Sequence, residues 1–258
     1  MAERTHDELV SGMTVKASAN LGAVEATLRG VGGPAQEAFQ QLSGALTVIP
    51  GLGSSAVDYA AKLRADTSLP QEHRTRQADE ELGFQREVID KHRDAAVAAA
   101  AKLEGELQRG LLPQPLGNDQ RLLVRDEIRN ILGGRTGQAL AKAALEYVGT
   151  NPSHDAELLS DWGRSLYRGA GVEKDYTTLQ AQAIDRYLKR QDGSSRQVAS
   201  RQALLAFRQA NVPGVIAAYH HAGLMHLDRD SALPPPGQLQ VASVTARGKT
   251  VRNSGGLK

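Results

Sequence analysis

The sequence predicts an all-α protein: a multi-helix bundle built around one long helix, with an extended, basic C-terminal tail. Three observations carry that reading. Residues 69–109 run without a proline between Pro70 and Pro113. Apolar residues make up 40% of the chain but aromatic ones only 4%. A core of Ala, Leu and Val suits close-packed helices better than a sandwich or barrel. Finally, Gly, Asn and Pro punctuate the apolar runs at regular intervals, as helix ends require.

The elements follow in order. Thr5 and Glu8 have capping-box spacing and open a first helix, 7–29. Val31-Gly32-Gly33-Pro34 breaks it, and Pro34 opens a second, to Leu46. Thr47-Val48-Ile49-Pro50-Gly51-Leu52-Gly53 reads as a connector, with Ser54 or Ser55 capping a short helix to Ala65. The long helix comes next. Ser68 and Gln71 supply its cap, Pro70 sits where its missing N–H costs nothing, and Gly110, Pro113 and Pro115 close it. At 1.5 Å per residue it is roughly 60 Å long, enough to serve as a spine or as an arm to a neighbouring subunit. Leu82, Ile89, Ala96 and Leu103 recur every seven residues along it, a seam for packing inside a bundle.

After a linker at 113–118 come helices at 119–132, 137–148, 152–168, 175–191, 195–210 and 214–227. Pro234-Pro235-Pro236-Gly237 ends the helical body. In the tail, Leu239, Val241, Ser243 and Thr245 alternate with other residues, compatible with a strand that Arg247-Gly248-Lys249 turns into a weak hairpin. The expected organisation is an N-terminal helical region (1–112), the linker, a compact helical domain (119–230) and the tail (231–258).

Charge is distributed unevenly. Residues 1–184 carry 20 Lys and Arg against 25 Asp and Glu, while 185–258 carry 11 against 4. The basic third is expected to meet something acidic: nucleic acid, another protein, or the acidic part of a second copy. There is no cysteine, which excludes disulfides, a thiol nucleophile and zinc–thiolate sites. Residues 1–7 lack signal-peptide character, and no apolar run approaches the roughly 20 residues of a membrane span. The expectation is a protein made in the cytoplasm.

Each chemical motif meets a specific obstacle. Gly248-Lys249-Thr250 resembles the end of a phosphate loop, but the earlier glycine is Ser243 and no helix follows. Gly51-Leu52-Gly53-Ser54-Ser55-Ala56 has G-x-G-x-x-A spacing without a strand–turn–helix context. His220, His221, His226 and Asp228 are suitable metal ligands by type, yet His221 and His226 stand about 140° apart on a helix. Glu3-Arg4-Thr5-His6 lacks the second copy that a di-iron site needs. His92 with Asp90 and Asp94 is the pattern of a pH-sensitive seam or of ordinary hydrogen bonding. No Gly-x-Ser-x-Gly nominates a nucleophile. Trp162 and Tyr167 read as core or interface anchors.

Arg186, Lys189, Arg190, Arg196, Arg201 and Arg208, with Arg247, Lys249 and Arg252 in the tail, are the residues expected to contact a partner or nucleic-acid phosphates. No catalytic, cofactor or metal residue is expected. The functional expectation is a non-catalytic assembly protein of a large complex: a phage head–tail connector, adaptor or minor head protein. It would oligomerise with its own copies and other structural proteins through its helices and tail, and reside in the virion after cytoplasmic synthesis. The alternative is a nucleic-acid-associated protein using its basic third.

Overall fold

In the computed structural model, which describes residues 6–231, every regular element is a helix. In order they are α1 (His6–Leu28), α2 (Gly33–Thr47), α3 (Ile49–Ala65), α4 (Gln71–Leu111), α5 (Asn118–Leu132) and α6 (Gly137–Tyr147). There follow α7 (Pro152–Leu158), α8 (Asp161–Gly169), a 3-10 turn (Glu173–Asp175), α9 (Tyr176–Lys189), α10 (Ser195–Gln209) and α11 (Val212–Ser231). The all-α class and the single long helix are as the sequence predicts. The tail, with its expected hairpin and Arg247, Lys249 and Arg252, lies outside the described residues, as do Glu3 and Thr5. Among the described residues no helix is long and apolar enough to cross a membrane.

The spine, α4, is 41 residues long. Its start is set by Pro70, whose carbonyl accepts from the N–H groups of His73 and Arg74. The heptad seam turns inward: Ile89, Ala96 and Leu103 are buried, and Leu107 and Leu111 continue the stripe.

Two sequence expectations need correction. Pro50-Gly51-Leu52-Gly53 is the first turn of α3 and not a connector. Proline fits there because its φ is preset and no intrahelical N–H is lost. Gly53 serves contact: a Cβ there would lie 3.2 Å from the carbonyl carbon of Gly223 in α11 and closer still to its oxygen. The expected helix at 152–168 is two helices, α7 and α8, broken at Leu159–Ser160. Ser160 caps the second, its hydroxyl accepting from the Trp162 N–H at 3.2 Å. Gly163 permits the fold-back, since a Cβ there would come within 2.9 Å of Leu158 Cα.

The chain groups into two compact units, each discontinuous in sequence. Residues 112–117 form the non-helical link between α4 and α5. The first unit contains 44–95 and 216–231 of the described residues, with 6–17. In it α11 lies on α3 at the Gly53–Gly223 crossing and on α4, where His220 Nε2 stands 2.8 Å from Asp90 Oδ1 and Arg86 pairs with Asp228. The second unit contains 18–43 and 96–215. Its main core joins α5 to α9 through Val124, Ile128, Leu140, Leu158, Tyr167 and Leu179, among others.

Candidate functional site

The most unusual local feature is α7. Its seven residues include three buried titratable side chains, His154, Asp155 and Glu157. At 100° per residue these point in three directions, so a helix carrying them needs polar partners all round. Asn151 starts it by accepting from the Ser153 N–H at 3.0 Å, with Pro152 in the first turn.

Each side chain ties α7 to a different neighbour. The Asp155 carboxylate accepts from the Gly149 N–H at 2.9 and 3.0 Å, and from the Tyr187 hydroxyl of α9 at 2.7 Å. Burial pushes its pKa up; the Gly149 and Tyr187 donors, with nearby Arg190 and His154, oppose that rise. Burial likewise pushes the Tyr187 hydroxyl up, and the Asp155 charge adds to it. His154 Nε2 lies 2.8 Å from Glu127 Oε2 on α5. A carboxylate only accepts, so Nε2 donates, and in the neutral ring Nδ1 accepts from the Tyr147 hydroxyl of α6. Glu157 accepts from Arg125 Nε at 2.7 Å, with Arg121 Nε 3.4 Å away. One short helix thereby fastens α5, α6 and α9.

Glu157 also forms the floor of a cleft of about 590 Å³ within this unit. Its walls come from the end of α4 (Arg109), the link after it (Pro113, Gln114, Pro115), α5 (Arg121, Arg125), the start of α8 (Asp161, Trp162) and the start of α10 (Arg196). The guanidinium groups of Arg125 and Arg129 lie 5.4 and 5.8 Å from the centre of the Trp162 ring, a cation–π arrangement. Four arginines thus face two carboxylates, Glu157 and Asp161.

The residues singled out from the sequence are placed as follows. Arg186 donates to the Glu146 carbonyl at 3.0 Å and to that of Val148, gripping the C-terminal end of α6. Arg201 donates to the carbonyls of Tyr187 (3.2 Å) and Asp192 (2.6 Å) past the end of α9. Arg190 stacks on the Tyr187 ring and donates to Asp192 at 3.1 Å. Arg208 pairs with Asp185 at 3.7 Å. Lys189 and Arg196 are exposed, without an ion-pair partner among the described residues, and of all six only Arg196 lines the cleft. Helix C-termini carry partial negative charge and unpaired carbonyls, which is why Arg186 and Arg201 settle there.

In the first unit, His220 engages Asp90 and Asp228 engages Arg86. Among the described residues no three His, Asp or Glu converge as metal ligands would. Tyr167 is a core residue, fully buried, and Trp162 is half-buried at the cleft. Sequence reasoning missed α7 and the cleft. The one local signal was Asn151-Pro152 followed by three titratable residues within five positions, a density unusual for a solvated helix start. Compared with family models, curated proteins and solved structures, the chain matches none.

Proposed function

We propose that this chain is a non-catalytic, helical assembly protein of a large complex that associates with copies of itself. The observation that carries the reading is on α5. Its inner face is Val124, Ile128 and Leu132, buried in the core, yet Leu122 and Leu123 on the same helix are 69% and 65% exposed. Two adjacent, outward leucines on a well-packed helix contribute nothing to their own unit's core. Such residues gain free energy only when another surface covers them. The same holds in the other unit for Tyr59 and Phe84, which are 51% and 55% exposed and line one groove with Leu63.

A second copy is the partner we assign to the α5 leucines, because the acidic 1–184 stretch and the basic 185–258 stretch of one sequence complement each other between copies. The large complex we assign is a phage virion, with the chain as head–tail connector, adaptor or minor head protein. That placement rests on the long spine, the charge asymmetry and the basic tail. Three arginines of the basic third, Arg186, Arg190 and Arg201, are bonded to backbone carbonyls or neighbouring side chains. This favours assembly over a nucleic-acid role for them.

The test is light-scattering mass of the purified chain at low and high salt, with absorbance followed at 260 nm. A defined oligomer free of nucleic acid, reduced to monomer by Leu122→Glu with Leu123→Glu, supports the reading. A monomer that carries nucleic acid at low salt and sheds it at high salt replaces it with the nucleic-acid alternative. A monomer without nucleic acid under both conditions refutes self-association.

A further inference from the structure

The cleft above α7 has a chemistry of its own, independent of self-association. Glu157, at its floor, is buried and uses the Nε edges of Arg121 and Arg125. The remaining Nε contact of Arg121 is to the Leu116 carbonyl at 2.9 Å. Among the described residues neither arginine uses its Nη groups, so both forks keep N–H donors for the open side of the cleft. Arg196 has no partner at all there, and Arg109, tied to Glu106 at 2.7 Å, adds a fourth cation at the rim.

The negative charges are fewer. Glu157 is already shared by two guanidinium groups, and Asp161 stands exposed at the start of α8. The cleft is therefore electropositive, and its apolar walls, Trp162, Pro113 and Pro115, concentrate that field. Three guanidinium groups arriving from α5 and α10 offer more N–H donors than the two oxygens of a carboxylate can use. A tetrahedral phosphoryl group, with three charged oxygens, matches them. The volume is also that of a small-molecule site, larger than one inorganic anion requires.

We propose that the cleft bounded by Arg121, Arg125, Arg196 and Trp162 binds a phosphoryl group. Its source is a small organic phosphate or the terminal phosphate of a nucleic acid, each of which presents three terminal oxygens. Arg196 and the Nη groups of Arg121 and Arg125 hold the oxygens. Trp162, backed by Arg125, provides the flat wall against which the rest of the ligand lies.

The chain contains one tryptophan, so its fluorescence reports on this cleft alone. The experiment titrates the full chain with inorganic pyrophosphate at fixed ionic strength and follows Trp162 emission. A saturable change is expected. Arg196→Ala and, separately, Arg121→Gln should each weaken it about 10-fold or more, the loss typical of a charged hydrogen bond. Arg196 is exposed and unpaired, so its variant should fold as the parent does. Arg129→Ala, which touches Trp162 but does not line the cleft, should change the starting intensity and leave the midpoint in place. A second arm uses a short single-stranded oligodeoxynucleotide carrying a 5′-phosphate. Tight binding that pyrophosphate displaces identifies a nucleic-acid source, and oligonucleotide that leaves Trp162 unmoved while pyrophosphate binds identifies a small phosphate. No saturable change with either probe overturns the proposal. So does a titration that Arg196→Ala and Arg121→Gln leave unaltered.

Discussion

Gly163→Ala adds one methyl group at the place where α8 folds back over α7. A Cβ at 163 would lie 2.5 Å from the Leu158 carbonyl carbon and 2.9 Å from its Cα, and backbone cannot rotate away as a side chain can. Restoring ordinary contact requires a shift of about 1 Å or more between the two helices, an overpacking that costs roughly 1–3 kcal/mol. The shift would also pull α7 on its ties to α5, α6 and α9, and a weakened buried hydrogen bond to a charged group adds about 1–3 kcal/mol. Against this, alanine gains up to about 1 kcal/mol of helix propensity over glycine. The expected net loss is about 2–4 kcal/mol, or a drop in Tm of roughly 5–15 °C for a chain of this size. Gly105→Ala is the matched control: it lies inside α4 with nothing within 4 Å of its would-be Cβ, and should gain about 0.5–1 kcal/mol. Thermal unfolding by circular dichroism of both variants decides the matter. If Gly163→Ala melts at or above the parent temperature, the tight α7–α8 turn described here is wrong.

Asp155→Ala should cost about 2–4 kcal/mol, because it strands the Gly149 N–H and the Tyr187 hydroxyl in the interior; chemical denaturation measures it. Asp155→Asn tests the charge. Burial raises the folded-state pKa of Asp155, so the native protein holds this proton to a higher pH than the unfolded chain. Its contribution to stability is therefore fully present below the unfolded value near 4 and is lost as pH rises through the folded one. The stability of the parent relative to Asp155→Asn should fall with rising pH in that window, and a rise would contradict the burial described. Replacing Leu122 and Leu123 by Glu should change monomer stability by less than about 0.5 kcal/mol, since both side chains are largely in solvent, while under the proposed self-association it lowers the light-scattering mass to that of a monomer. Tyr176, buried and pushed up to about 12, should ionise well above the ordinary tyrosine value near 10 in an alkaline absorbance titration.

What the sequence determined by itself was local. The spine, most helix ends and the heptad seam are written in prolines, glycines and apolar spacing within a few residues of where they act, whereas Ser54 and Ser55, read as caps, lie inside α3. Such signals depend on one turn of backbone, which is why α4, α5, α6, α9 and α10 fall close to their expected limits. Tertiary structure decided what depends on partners distant in the chain. Gly53 reads as a loop glycine until Gly223 is laid against it. Ser160 and Gly163 read as helix interior until Leu158 folds back over them. His220 was grouped by proximity with His221 and His226, but its partner is Asp90, 130 residues earlier. Arg186 and Arg201 looked like free cations because sequence does not show which carbonyls a helix end leaves unpaired beside them. The arginine cleft gathers positions 109 to 196 onto one wall. Burial and hydrogen-bond partnership are properties of pairs, and only the packed chain brings those pairs together.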